Sequence, residues 1–301
     1  EQGNADAQYM MGAIYNDGDI GPRDYAAAAD WYDKAAAQGQ SDAQNALGYL
    51  YDFGLGVARD QAKAEQGNAD AQYMIGAIYN DGDMGPRDYA AAADWYDKAA
   101  AQGQSDAQNA LGYLYDFGLG VPRDQAKAEQ LYESAAAAGN LLARNNIAYE
   151  WSLGGRRLDE ALAYAREATA KQPEEGAYQD TLGWVLYQQR RYGEALPPLC
   201  KAAKLDPGSP EIHSHLGDAF WQVGLTADAK MQWQQAYDLA DRQQLLSIEG
   251  KDFLHAEGQA IFKSKMQERL ASGAPGAPAP GAPDTSAVEK AVGGNCDLPT
   301  S

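Results

Sequence analysis

The chain has 301 residues, 45% of them apolar, and carries 24 basic against 43 acidic side chains for a net charge of −19. An aromatic content of 10% is too high for a disordered acidic polymer, and no run approaches the roughly 18 apolar residues of a membrane helix. The acidity argues against nucleic-acid binding, which needs clustered Lys and Arg to displace phosphate counterions, and Cys200 and Cys296 are too few for a disulfide framework or a structural zinc site.

Internal repetition organises the first 140 residues. Residues 1 to 64 recur as 65 to 128 with three changes: Met11 becomes Ile75, Ile20 becomes Met84 and Ala58 becomes Pro122. Each block holds two units. Units 4–39, 68–103 and 104–139 have 36 residues and unit 40–67 has 28, lacking the equivalent of Leu131 to Ala138. Glu1-Gln2-Gly3 matches Glu65-Gln66-Gly67, so the sequence is expected to open inside a unit.

Each full unit predicts a pair of helices. Ala107, Leu111 and Tyr115 recur at i, i+4 and i+8 and so share one helical face. Gly118 and Gly120 then break the helix. Asp124 follows Pro122-Arg123 as an N-cap whose carboxylate can accept from the next unpaired amides, and Asp24, Asp60 and Asp88 stand in the same place. A second helix runs through Ala128, Tyr132, Ala135 and Ala136 to Gly139, which suits a left-handed stop. One hairpin cannot bury its own apolar stripe, so the units are expected to stack, neighbour on neighbour. Losing eight residues shortens a helix by about 12 Å and turns its end by about 80°. The join between the second and third units is therefore expected to be the weakest, with a kink or splay.

The run from Ala107 through Leu111-Gly112 and Gly118-Leu119-Gly120-Val121 to Asp124, with Tyr132 and the alanine-rich stretch to Gly139, resembles the Sel1-like repeat, a relative of the tetratricopeptide repeat. The first and third units carry Gly18-Asp19-Ile20-Gly21 and Gly82-Asp83-Met84-Gly85 where that family has Gly-x-Gly-Val, and differently shaped loops are expected there.

From 141 to 242 a second pattern follows. Leu182-Gly183, Leu186, Ala195, Leu199, Ala202 and Pro207 resemble one tetratricopeptide unit, and Leu216-Gly217, Phe220, Gly224, Ala229, Trp233 and Ala236 the next. An earlier unit shows in Ile147-Ala148, Trp151, Ala161, Ala168 and Pro173, with one extra residue in its turn. Residues 243–271 are expected to hold a terminal helix, Phe253 to Leu270, closing the stack. From 272 to 301 the Gly-Ala-Pro run reads as an extended, disordered tail. Together the resemblances imply an all-α fold, a right-handed superhelical solenoid of helix-turn-helix repeats.

Chemistry is scarce. No Gly-rich phosphate loop, Gly-x-Ser-x-Gly elbow, Ser-x-x-Lys or His-Glu-x-x-His occurs, so no catalytic residue, metal ligand or cofactor is assigned. His213 and His215 lie two apart on a helix and point to different faces, and with His255 they are expected to be chance surface placements. Asn16-Asp17-Gly18-Asp19 lacks the carboxylate ladder of a calcium loop and reads as a solvated turn. Cys200 is expected in the core, and Cys296 in the tail as a thiol open to an intermolecular disulfide, with no disulfide inside the chain.

The aromatic residues point to a partner. Trp31, Trp95, Trp151 and Trp233 occupy packing positions. By the resemblance, Trp184 and Trp221 instead face the groove formed by first helices, together with Tyr187, His215, Asp218 and Gln222. Mixed aromatic and polar groups in a groove suit an extended or helical peptide; the competing reading is that the terminal helix covers Trp221. The family's clamp for a C-terminal carboxylate is not matched: its positions hold Asn145, Tyr149, Thr181, Glu211 and His215, with no Lys or Arg. The function implied is a bacterial, non-enzymatic scaffold that binds another protein or peptide, with assembly of an envelope complex or regulation of a signalling protein as its setting. The alternative is a Sel1-like hydrolase or β-lactam-binding protein. The resemblance leans towards the periplasm or cell envelope, with the cytoplasm as the alternative.

Overall fold

Four N-cap aspartates start the second helices of the first 140 residues. In the computed structural model, which describes residues 3–64, 69–82, 86–247, 256–272 and 296, Oδ1 of Asp24, Asp60, Asp88 and Asp124 accepts from the backbone N–H three residues on, at 3.0 to 3.2 Å. The described residues are helical with no strand among them, an all-α fold of stacked hairpins. The chain divides into two units, Glu1–Ala143 and Arg144–Ser301.

In the first unit, α1 (Ala5–Asp17) pairs with α2 (Tyr25–Ala36), and α3 (Ser41–Phe53) is followed by the four-residue α4 (Gln61–Ala64). Next α5 (Ala69–Asp81) pairs with α6 (Tyr89–Ala101), and α7 (Ser105–Phe117) with α8 (Gln125–Ala137). Gly118 ends α7 in the left-handed region at φ 67°. The Gly-Asp turn of the first hairpin, expected to differ, closes by the same bond as the fourth: the Asp24 N–H donates to the Tyr15 carbonyl at 3.0 Å, as Asp124 does to Tyr115 at 2.9 Å. What differs is the second glycine. A Cβ on Gly120 would lie 2.3 Å from the Tyr89 carbonyl carbon, at the start of the previous hairpin's second helix, whereas Ile20 in the equivalent place is 69% exposed. Residues 83–85 of the third turn lie outside the described residues.

Within a hairpin the two helices meet at a glycine and a ring. A Cβ on Gly12 would lie 2.5 Å from the Tyr32 ring, on Gly76 2.6 Å from Tyr96, and on Gly112 2.9 Å from Tyr132. The three tyrosines are buried, and hydrogen at the glycine Cα is what lets each ring lie flat against the first helix. The truncated hairpin has lost this ring, and Gly48 faces the Ala64 carbonyl at 3.4 Å instead. Its place is taken by direct packing of α3 on α5. Phe53 stacks on Tyr79 with centroids 5.3 Å apart, the Tyr79 hydroxyl donates to the buried Asp52 at 2.9 Å, and Ala64, Ile75 and Trp95 form the core beneath. Trp31, expected to be as buried as its copy Trp95, is only half-buried: Trp95 clusters with Ala64 of the truncated hairpin and with Ile75 of its own, where the first hairpin has Met11. Between hairpins the contact is alanine-lined: Ala92, Ala93, Ala99 and Ala107 are all but fully buried with Tyr96, Leu111 and Leu114, and such small side chains permit close helix approach.

The second unit uses the same device with other large side chains. Helix α9 (Leu141–Leu153) spans the division; from Arg144 on it meets α10 (Leu158–Lys171), with Trp151 stacked on Tyr164 and Arg144 paired with Glu167. Then come α11 (Gly176–Gln188) with α12 (Tyr192–Leu205), α13 (Pro210–Gln222) with the long α14 (Thr226–Ser247), and α15 (Ala256–Ser272) packed on α14. A Cβ on Gly183 would lie 2.4 Å from Leu199, and one on Gly217 2.5 Å from Trp233. The terminal helix is present over most of its expected span. The tail expectation lies outside the described residues except at Cys296. The cysteine expectation is corrected: Cys200, fully buried as expected, is joined to Cys296 by a disulfide with Cα atoms 5.1 Å apart, so the tail thiol is not free in the structure. Among the described residues no helix is long and apolar enough to cross a membrane.

Two measurements check this account. Gly112→Ala forces a methyl against a fixed ring and is expected to lower stability by about 1 to 2 kcal/mol, whereas Gly48→Ala, where the ring is missing, is expected to be neutral or to gain up to about 1 kcal/mol from helix propensity. Equal midpoints for the two variants in thermal unfolding would show that the ring yields. In native-state hydrogen exchange, residues 41–64 are expected to open before 105–137, and equal protection of the two stretches would contradict a weak second join.

Candidate functional site

The first helices α9, α11 and α13 of the second unit carry the groove candidates, and their side chains do not stand independently. Trp184 and Tyr187, three apart on α11, stack with centroids 4.7 Å apart and planes 6° off parallel. The His215 ring of α13 also stacks on Trp184, at 4.0 Å and 18°. Tyr187 also meets the Gln222 side chain, and burial, chiefly, pushes its hydroxyl up to about 12. Trp184 is 8% exposed and His215 6%, while Tyr187, Trp221 and Gln222 are half-buried.

Two buried carboxylates anchor this stack. Asp180 on α11 accepts from His215 Nδ1 at 3.0 Å. Asp218 on α13 accepts from Trp233 Nε1 at 2.9 Å and from Arg269 of α15, whose guanidinium also donates to Ser214 at 2.6 Å. Burial raises the Asp218 carboxyl above its usual range against the pull of Arg269 and His215. Arg269 is why Asp218, expected in an open groove, is 2% exposed. The terminal helix thus covers this end of the surface, while Trp221 touches Trp233 at 5.5 Å. Two indole donors lack an acceptor: Nε1 of Trp184 and Nε1 of Trp221 are buried without a hydrogen bond.

The histidine expectation is overturned. His213 is 4% exposed and bonds Gln232 at 2.7 Å and the Pro207 carbonyl at 3.1 Å, and His215 is locked on Asp180, so neither is a surface accident. They do point to different faces, as their spacing requires. His255 lies outside the described residues. Sequence reading also missed Asp180 and Arg269. Asp180 sits 35 residues before His215, next to Thr181, the residue that overlays His215 in the preceding repeat. Arg269 had no such signal, because the terminal helix is not a repeat.

Four of the five clamp positions, Asn145, Tyr149, Thr181 and Glu211, line a cavity of about 410 Å³ where α9, α11 and α13 meet. Glu211 accepts from the Tyr149 hydroxyl. Among the described residues no cluster of His, Cys, Asp and Glu could hold a metal ion.

Comparison with known proteins matches the Sel1 repeat model to residues 5–40, 41–66, 69–104 and 105–140. Protein sel-1 homolog 2 of Homo sapiens is 39% identical over 64 residues, and that of Mus musculus 40% over 62. Each match covers 21% of this chain and only 9% of the relative's length. Among solved structures, a protective antigen present in uropathogenic Escherichia coli strains and displaying an SLR fold is 26% identical with a TM-score of 0.52, over 94% of this chain and 67% of the other. A Sel1 repeat protein from Oxalobacter formigenes is 29% identical with a TM-score of 0.43, over 62% and 80%.

The His215–Asp180 contact is expected to make the stability of the second unit pH-dependent. Burial opposes the charged imidazole, but Asp180, Glu211 and Asp218 together outweigh it and leave the His215 pKa above its ordinary value. A raised folded pKa stabilises fully below the unfolded value of about 6.5, and that contribution fades as pH rises through the folded one. Unfolding free energy from pH 6 upward is therefore expected to fall more steeply in wild type than in His215→Gln; parallel profiles would mean that the imidazole does not titrate across the transition.

Proposed function

We propose, from the match of residues 5–66 and 69–140 to the Sel1 repeat model, that the chain is a scaffold that binds another protein and has no catalysis of its own. Its ligand is an extended or helical peptide lying along α11 and α13, over the stack of Tyr187, Trp184 and His215 and beside Trp221 and Gln222. The observation that carries this reading is the pair of indole N–H groups, on Trp184 and Trp221, buried without acceptors in one aromatic surface. An unmet buried donor costs about 1 to 3 kcal/mol, and a peptide carbonyl is the group that would relieve it. Side chains of this type dominate binding energy at interfaces.

The setting proposed is the bacterial envelope, where the scaffold would assemble or regulate a complex. The E. coli antigen of similar fold suits a bacterial source.

Trp184→Phe removes the indole donor and keeps a ring, and Trp221→Ala removes a half-buried aromatic. Each is expected to reduce recovery of the partner by about tenfold in quantitative pull-down against wild type, the size of loss typical of an interface anchor. Undiminished recovery with both variants, folded by circular dichroism, would reject the groove.

A further inference from the structure

We infer that the cavity where α9, α11 and α13 meet is a receptor for the arginine side chain of a bound peptide. This rests on the reading of the surface as a peptide groove and names the chemistry of one anchor in it.

The cavity's wall is made of acceptors. Glu174, Glu175, Asp180, Asp206 and Glu211 line it, and no Lys or Arg does. Two of the five are neutralised: Lys201 pairs with Glu174 at 2.9 Å and His215 with Asp180 at 3.0 Å. Asp206 accepts the Gly208 N–H, at 3.2 Å, and Glu211 the Tyr149 hydroxyl, so among the described residues neither is paired with a base, nor is the exposed Glu175. A second observation is independent of charge. Asn145, 6% exposed on the same wall, holds its Oδ1 buried with no donor. An orphan amide oxygen among carboxylates asks for a ligand that donates only.

Among the described residues the acidic groups do not converge closely enough to hold a metal ion, so the charge suits a spread cation rather than a point one. Guanidinium presents five N–H donors in a plane and no acceptor, which matches an amide oxygen and carboxylates set apart. The same surface already takes one such group: Arg269 enters at α13 and donates to Asp218 and Ser214. A C-terminal carboxylate would meet repulsion here, in keeping with clamp positions that hold no base.

The test uses the full chain and acetyl-Gly-Gly-Arg-Gly-Gly-amide, with citrulline and lysine in place of arginine as controls, by titration calorimetry. The arginine peptide is expected to bind, the neutral citrulline peptide to bind about tenfold or more weakly, and binding to weaken as salt rises. The triple variant Glu175→Gln, Asp206→Asn, Glu211→Gln changes exposed side chains only and is expected to lose the arginine peptide by a similar factor. Asn145→Leu, if folded, is expected to weaken it too. Equal binding of citrulline or lysine, or retention by the triple variant, would overturn the assignment. No binding of the arginine peptide by a protein that still recovers its partner through Trp221 would overturn it and leave the scaffold reading standing.

Discussion

Five of these hairpins depend on one close contact, a glycine on the first helix laid against a large side chain of the second. Tyr32, Tyr96 and Tyr132 fill that place in the first unit, and Leu199 and Trp233 in the second. The contact sets how near the two helices lie, and so which residues can be small. Alanines such as Ala92, Ala99 and Ala107 can then bury completely between hairpins. Because interiors are close-packed, a methyl added at the glycine has nowhere to go.

The groove inherits its geometry from this contact. Gly183 seats Leu199 and Gly217 seats Trp233, which fixes the rotation of α11 and α13 and brings Trp184 and His215 ring to ring at 4.0 Å. Asp218 joins the two levels: it bonds the indole of Trp233, the ring that packs on Gly217, and also holds Arg269 of the terminal helix. Packing and recognition are therefore built from the same residues, and the unmet donors of Trp184 and Trp221 sit directly beside them.

Most of the fold was legible because it is local. Asp24, Asp60, Asp88 and Asp124 cap helices for reasons carried within four residues, and the glycine stops likewise. Repeat spacing carried the hairpins as far as residue 242. The misses involve partners distant in sequence. Trp31 and Trp95 sit in near-identical stretches, and what separates a buried ring from a half-buried one is Ala64 of the neighbouring hairpin and the change from Met11 to Ile75. His215 looked like a surface residue until Asp180, one repeat earlier, was placed beside it. Arg269, and the pairing of Cys200 with Cys296 over 96 positions, follow no repeat and so left no periodic trace. The groove was legible in its aromatics and not in its acceptors, since an orphan oxygen such as that of Asn145 exists only once its surroundings are assembled.

The direct packing of α3 on α5 changes what counts as the building block of the first unit. Asp52 and Phe53 lie near the end of one 64-residue block, and Tyr79, which meets them, lies near the start of the next. Tyr15 is the same residue in the first block, so every copy carries both halves of the joint. The block is thus a self-complementary tile, and in-frame recombination between copies would lengthen or shorten the array by two hairpins at a time while remaking an identical seam.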